Sequence, residues 1–465
     1  VFLRQTGRMM TETQALTALA REDPEAADEA KAALGWLTNG AGLETVSQLK
    51  LQEFVWYALP VKWPMTTGEL IAVTRALGRL FTMVGMERYA EVCLSPGTEQ
   101  ILTAYGQGHD TGIAAYAEAV ENSSTAPPDT ALLAWGSVMG PDERAAYDAC
   151  AAAVELAIAS GDLAAGARGW RAKRTALIDR WLTAPPPAPV TPEGGRHRAG
   201  AHHAPGVSDT WLARIHTERM DAWANSRPGE RSRLAAAVLP RLLEETVPPD
   251  NALPTLGWLL GHADVGLKLT ARYYIPPAVI TEAVEEFGWR EQLPGALRQE
   301  LDVFPLHTLR GLAQGEMGAI RRAGTSLVLT RTGRLMAEDP SVRWRIGTAA
   351  LIGADDGPRP DFAVAVREAS LLFLLVSGPA GYEELTRHLT RIHTEEGWSS
   401  RGRADLSDAV RREIHGLRHR LWALHLLYTE RASREPLTLT ETGVYAALAA
   451  LRSRARGPRH HVGLG

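Results

Sequence analysis

Arginine side chains concentrate at two places in the second half of the chain, where they could bind phosphate groups. One group lies between positions 310 and 334, and the other lies close to position 454. The guanidinium group is a planar donor that pairs with two phosphate oxygens at once and also reaches base edges or a narrow minor groove. The candidate nucleic-acid contacts are Arg310, Arg321, Arg322, Arg331, Arg334, Arg452 and Arg454.

Arginine is abundant throughout the chain, which weakens this interpretation. Only five of the 50 basic residues are lysine, so 45 are arginine. Together with the many glycines and alanines, this bias is typical of a GC-rich genome. The formal net charge of −4 also gives the chain no overall attraction to nucleic acid.

Metal binding by histidine is a second candidate chemistry. His415 and His419 lie four residues apart on a predicted helix and therefore share a face, and His425 follows. No acidic residue or cysteine stands nearby as a third ligand, and Arg418 and Arg420 would repel a cation. We therefore expect no metal site and no cofactor.

Motifs that mark common enzyme classes are absent from the sequence. It contains no phosphate-binding loop, no G-x-S-x-G, no C-x-x-C and no H-E-x-x-H. Acidic pairs such as Glu395–Glu396 are adjacent, and neighbours on a helix point about 100° apart, so we expect solvated faces rather than acid–base pairs. No catalytic residue is predicted.

The first arginine group lies in a pattern of helix, two-stranded ribbon and second helix. The sequence predicts a helix over 307–314, a strand ending at 321–322, a turn over 323–325, a strand over 326–330 and a new helix near 332. This order is the minimal pattern of a winged-helix unit. In such a unit, residues 307–314 would form the recognition helix, whose Arg310 suits a base edge.

The motif L-x-L-T-x-T-G occurs at 327–333 and again at 437–443, each time before a predicted helix. Its alternating leucines would face the helices, its threonine would cap the next helix, and its glycine permits a tight turn. Residues 267–270 form a weaker third copy without the glycine. The sequence therefore predicts two winged-helix-like units, near 267–340 and 406–456.

Length and charge divide the chain into domains, because 465 residues exceed what a single core holds. Residues 1–183 carry 15 basic and 22 acidic residues, a balance of −7, whereas the remainder carries 35 and 32, a balance of +3. We predict an acidic all-helical domain over 11–183, with helices that include 45–57 and 130–138. A Pro/Gly/His linker over 184–206 and a helical domain over 207–465 follow.

Several stretches resemble an uncharacterised helical family of actinobacterial proteins, namely LKLTARYYIPPAVI, LHTLRGLAQ, RRAGTSLVLTRTGRLMAEDPSVRW and LTLTETGVYAALAALRSRA. That family combines L-T-x-x-G and Y-L-x-P-x-x-V elements, and this chain departs from it at 271–273, where a glycine would be expected. The resemblance implies neither an activity nor catalytic residues. Separately, L-V-L-T-x-x-G-R is similar to the wing and following helix of winged-helix transcription regulators.

Together these features predict a mainly α, cytoplasmic protein without a membrane span, since no apolar run approaches the length of one. Cys93 and Cys150 are expected to be buried free thiols. We expect a non-enzymatic protein that regulates or scaffolds by binding a protein partner. One alternative is a DNA-binding transcriptional regulator that uses the winged-helix-like units. A second alternative is an enzyme of unrecognised class, built from residues that are distant in sequence.

Overall fold

The computed structural model describes residues 10–186, 209–227, 229–244, 249–354, 361–399, 405–428 and 436–459. Contacts divide the chain into two compact units, each with a hydrophobic core. The first unit contains the chain up to Trp135 and Pro141–Arg214; the second contains Gly136–Gly140 and the chain from Ile215 onward. Most of the predicted linker, residues 187–206, lies outside the described residues.

The first unit is helical throughout its regular segments. Helix α2 illustrates how local residues start a helix. The Asp23 carboxylate accepts a hydrogen bond from the N–H of Ala26, and Pro24 occupies the first turn. The helices are α1 (Glu12–Glu22), α2 (Pro24–Thr38), α3 (Gln48–Glu53), α4 (Leu59–Lys62), α5 (Thr67–Met83), α6 (Glu87–Leu94), α7 (Pro96–Gln107), α8 (His109–Glu121), α9 (Pro141–Ala159) and α10 (Trp170–Leu182).

Two sequence predictions can be checked within this unit. The helix predicted over 45–57 begins later, at Gln48, and its second half is a π-helical turn over Phe54–Ala58 that leads directly into α4. Cys93 and Cys150 are both buried and unpaired, as predicted.

The helix predicted over 130–138 is absent, so this prediction was wrong. The Thr130 hydroxyl accepts hydrogen bonds from the N–H groups of Leu132 and Leu133, a local turn that competes with helix formation. Residues 136–140 belong to the second unit, where the N–H of Val138 donates to the carbonyl of Arg459.

The second unit adds a small antiparallel sheet to its helices, so the prediction of a mainly helical chain with a short ribbon is confirmed. The sheet order is β1-β3-β2, with Leu267 opposite Leu327 and Ile320 opposite Leu329. None of the described helices combines the length and apolar character that a membrane crossing requires. The strands are β1 (Leu267–Lys268), β2 (Ile320–Ala323) and β3 (Ser326–Leu329).

The helices of the second half of the chain begin with α11, which contains the boundary between the units. They are α11 (Trp211–Ala224), α12 (Glu230–Leu243), α13 (Pro254–Asp264), α14 (Pro277–Glu286), α15 (Trp289–Gln292), α16 (Phe304–Gln314), α17 (Arg331–Glu338), α18 (Pro340–Ala349), α19 (Phe362–Ser377), α20 (Tyr382–Glu395), α21 (Leu406–Ala423) and α22 (Glu441–Arg456).

The first L-x-L-T-x-T-G motif adopts the predicted geometry. Thr330 caps α17, and its hydroxyl accepts a hydrogen bond of 3.0 Å from the N–H of Gly333. The N–H of Thr330 donates to the carbonyl oxygen of Ala319 at 2.9 Å. This carbonyl lies so close to Gly333 that a Cβ atom there would collide with it. The glycine is therefore needed for close approach of the backbone.

The second motif repeats this arrangement. Thr440 caps α22 and accepts from Gly443 at 2.9 Å, while its N–H donates to the carbonyl of Leu426 at 3.0 Å. A Cβ atom on Gly443 would collide with the same carbonyl. Before this cap the motif forms isolated bridges in place of a strand, Ala380 with Leu437 and Leu427 with Leu439. Residues 429–435 lie outside the described part.

The close contacts of the two motif glycines lead us to predict that alanine at either position destabilises the protein. Gly333→Ala and Gly443→Ala should each lower the free energy of unfolding by about 1–3 kcal/mol, because the added methyl group overpacks against a backbone carbonyl. Gly311→Ala on α16 and Gly416→Ala on α21 are matched controls, since a Cβ atom on either glycine would meet nothing within 4 Å. These two should be neutral or stabilising by up to about 1 kcal/mol. Denaturant unfolding measures all four; equal losses in both pairs would contradict the prediction.

Candidate functional site

The short sheet presents a basic surface. Arg321 and Arg322 lie exposed on β2, and Arg331 and Arg334 lie exposed on α17, directly after β3. The Arg322 guanidinium stacks over the half-exposed Tyr273 ring, with 4.3 Å between its carbon and the ring centroid. We call these four arginines the ribbon surface. They make no ion pair within the described residues, so they are available to anionic groups.

Arg310 occupies a different environment, although it was predicted as a base contact. Its guanidinium forms an ion pair of 2.8 Å with the buried Glu300 and donates to the carbonyl of Tyr273 at 2.9 Å and to Gln314. Glu300 also accepts a 2.7 Å hydrogen bond from the N–H of Ile275. Arg310 therefore joins α16 to the loop after β1 and is held within the unit.

The two C-terminal candidates also make internal contacts. Arg452 donates to the backbone carbonyl of Leu242 at 2.7 Å and to the carbonyls of Arg241 and Glu244. Arg454 donates to the Glu368 carboxylate at 3.3 Å. Both therefore hold α22 against neighbouring segments. Of the seven candidate contacts, only the four of the ribbon surface face solvent.

Helix α16, predicted as a recognition helix, packs along α21. Phe304 lies between the rings of His419 and Trp422, with centroid distances of 4.6 Å to each. Glu316, just after α16, forms an ion pair with Arg420 of α21. The exposed residues of α16 are His307 and Gly311, and neither carries a fork of donors suited to a base edge.

The rings of His415 and His419 on α21 pack against each other in a tilted arrangement, with 59° between their planes. His415 and His419 lie 4.2 Å apart between ring centroids, so they share a face as predicted. Burial, with the neighbouring His415 and Arg418, lowers the pKa of His419 to about 4. Within the described ranges, no three His, Cys, Asp or Glu side chains are grouped so that they could hold a metal ion.

A buried charge network lies elsewhere in the second unit, and no sequence pattern pointed to it. Arg231 of α12 pairs with Glu368 of α19 at 2.8 Å and with Glu396, just after α20, at 3.4 Å. Trp223 donates to Glu368 at 2.7 Å, and the His393 Nδ1 lies 3.2 Å from Glu396. Glu396 is only 2% exposed, so the expected solvated face was wrong for this carboxylate.

The charges of this network balance each other. Burial acts to raise the pKa of Glu368, but the guanidinium groups of Arg231 and Arg454 outweigh it and leave that pKa below its ordinary value. Burial also acts to raise the pKa of Glu396, but the hydrogen bond with His393 and the guanidinium groups of Arg231 and Arg227 outweigh it and leave that pKa below its ordinary value. Burial lowers the pKa of His393, which the Glu396 carboxylate only partly offsets. These groups join α12, α19, α20 and α22.

Comparisons with protein families, with curated proteins and with solved structures found no match for this chain. The resemblance to an actinobacterial family therefore stays a prediction, and function is inferred from the geometry of the chain itself.

Removing one partner from the network should destabilise the second unit strongly. Glu368→Gln removes the carboxylate that lies 2.8 Å from the buried Arg231 guanidinium and leaves that positive charge only partly compensated. We expect a loss of about 3–5 kcal/mol in the free energy of unfolding. Glu285→Gln, on the exposed face of α14, removes the same charge without such contacts and should change it by less than about 0.5 kcal/mol. Urea unfolding compares the two; equal effects would show that the network is not a stabilising element.

The network should also make stability depend on pH. The folded pKa of His393 lies below its ordinary value, so the unfolded chain takes up a proton first as the pH falls below about 6.5. Stability is therefore present above about 6.5 and is lost as the pH falls toward the folded pKa. Glu368 and Glu396 have lowered pKa values and add a second loss below about 4.3.

Unfolding measured between neutral and mildly acidic pH tests this second prediction for the network. His393→Gln should reduce the change in unfolding free energy between about pH 6.5 and 5. Burial also lowers the pKa of His216, His415, His419 and His425, so these histidines keep the remainder of the change. His109→Gln, on the exposed start of α8, is the control and should leave that change as it is. A wild-type profile that does not fall across this range would contradict the assignment.

Proposed function

We propose that the second unit contains two winged-helix units in tandem, and that the protein is a non-enzymatic regulator or scaffold that acts through protein contacts. The first support is the element order. Helix α13, strand β1, helices α14 and α16, and strands β2 and β3 follow one another, and β1 and β2 both pair with β3. This is the order of a winged-helix unit, with α16 in the position of the recognition helix.

The second copy follows the same order. Helices α19, α20 and α21 correspond to α13, α14 and α16, and single bridges replace the strands. Ala380, between α19 and α20, pairs with Leu437, and Leu427 pairs with Leu439, as β1 and β2 pair with β3. The shared cap of Thr330 and Thr440 supports a repeated unit.

The packing of α16 against α21 is the single observation that carries the proposal. Both helices hold the recognition position of their unit, and Phe304 is inserted between His419 and Trp422 of the other helix. A recognition helix must lay several side chains on base edges in the major groove. Because these two helices cover each other, the arrangement favours a scaffold for protein contacts over a reader of DNA sequence.

The ribbon surface supports the alternative of DNA binding. Its four exposed arginines suit phosphate contacts, which give affinity but carry little sequence information. Such contacts release counterions, so each one contributes about −0.9 to the slope of log affinity against log salt concentration. Four contacts would therefore give a slope of about −3.6.

Titration of the full chain with a random DNA duplex across a salt series separates the two functions. We expect no measurable binding at about 0.15 M salt, and hydrogen exchange in α16 that DNA does not change. Binding that persists at this salt concentration and protects the amides of α16 would overturn the scaffold proposal in favour of a DNA-binding regulator.

Charge variants identify the source of any binding at low salt. Arg321→Ala with Arg322→Ala should lower the salt slope by about two. Arg168→Ala with Arg171→Ala removes the same charge from exposed positions in the first unit and is the matched control. Equal effects of the two pairs would show attraction to the general charge of the chain and no role for the ribbon surface.

A further inference from the structure

An exposed tryptophan, Trp36, packs on a partly buried one, Trp63, at the surface of the first unit. Trp36, near the end of α2, is 50% exposed, and its ring packs edge-to-face against Trp63 with 6.1 Å between centroids. The buried Phe54 also packs edge-to-face against Trp63, with 6.3 Å between centroids. Exposed tryptophan on a rigid aromatic base is typical of a contact surface, because it offers a large area at little entropic cost.

The face of Trp36 already accepts a cation from its own chain. The Lys62 Nζ lies 5.8 Å from the ring centroid, near the outer limit for a cation–π contact, and Lys62 is itself exposed. A weakly held ammonium group can be replaced by a guanidinium group, which stacks flat on an indole ring.

Acidic residues line up with Trp36 along the outer face of α2. Glu29 precedes it by seven residues and Glu25 by eleven, which are close to two and three helical turns. Neither carboxylate forms an ion pair within the described part of the chain. Partial burial, together with the carboxylates of Glu25, Asp23 and Glu69, raises the pKa of Glu29. The negative charge of this face is therefore not neutralised by its neighbours.

We propose that this face of α2, formed by Glu25, Glu29, Trp36 and Trp63, binds an arginine-rich peptide segment of a protein partner. One guanidinium group stacks on Trp36 in place of Lys62, and another pairs with Glu29. The acidic balance of the first 183 residues, −7 from 15 basic and 22 acidic residues, adds long-range attraction. The inference rests on the proposed function in that it names the chemistry of a partner for protein contacts.

Helical geometry sets the spacing of the arginines. Seven residues of α-helix rise about 10.5 Å. A peptide in the polyproline II conformation advances about 3.1 Å per residue with three residues per turn, so side chains three positions apart lie on the same side, about 9.3 Å apart. Two arginines three positions apart, in an R-x-x-R pattern, therefore span the distance between Glu29 and Trp36. Adjacent arginines reach only one of the two groups.

Binding of fluorescent peptides to the full chain tests the proposal by anisotropy. The probe is an R-x-x-R repeat in a Gly/Ser background, compared with a lysine version and a version with adjacent arginines. Trp36→Ala should weaken binding of the R-x-x-R peptide about ten-fold and Glu29→Gln about three-fold. Lys62→Ala should tighten it about two-fold, because the ring face becomes free. Leu156→Ala, at an exposed apolar position of α9, is the control and should have no effect.

The outcomes are exclusive. Equal affinity for the arginine and lysine peptides, or unchanged binding by Trp36→Ala, would show simple charge attraction and overturn the proposal. If Trp36→Ala unfolds the first unit, the exposed Lys62→Ala and the partly buried Glu29→Gln still decide it by their opposite directions. Failure here leaves the α16–α21 argument intact, because that argument is tested by DNA titration and by residues of the second unit.

Discussion

A guanidinium group buried between two carboxylates fixes how the helices of the second unit meet. Arg231 on α12 pairs with Glu368 on α19 and with Glu396 after α20. Arg454 on α22 also pairs with Glu368. Apolar residues of similar volume would fill this site at comparable stability, but they accept many packing angles. Ion pairs with hydrogen-bonded partners restrict the helices to one arrangement, because any shift leaves a charge without its partner in a dry site.

The fixed arrangement of these helices also determines which part of α16 is covered. Helix α20 packs on α21, and α21 covers α16 through Phe304, His419 and Trp422. The positions that would read DNA in a winged-helix unit are thus occupied by contacts within the chain. Exposure of α16 would require α21 to separate from an aromatic contact and from the ion pair of Glu316 with Arg420. The constraint that orders the helices also sets which surfaces remain for partners.

Local rules in the sequence succeeded where the structure depends on neighbours along the chain. The L-x-L-T-x-T-G motif predicted the caps at Thr330 and Thr440 because a hydroxyl and an N–H three residues away decide them. Long-range contacts could not be predicted in this way. Glu396 looked like half of a solvated pair, yet its partner Arg231 lies 165 positions away. The helix predicted over 130–138 failed for a local reason, because the turn formed by the Thr130 hydroxyl competes there with helix formation.

Arginine in this chain serves two physical purposes that composition cannot separate. Arg310, Arg452 and Arg454 bind carboxylates and backbone carbonyls inside the second unit, so they act as cross-links between segments. The arginines of the ribbon surface pair with no carboxylate in the part of the chain that the structure describes. A guanidinium group indicates nucleic acid only when its own chain leaves its donors unused. Three of the seven predicted contacts, Arg310, Arg452 and Arg454, fail this criterion, whereas the four arginines of the ribbon surface meet it among the described residues. The proposal of protein contacts therefore depends on the packing of α16 against α21 and not on the arginine content of the chain.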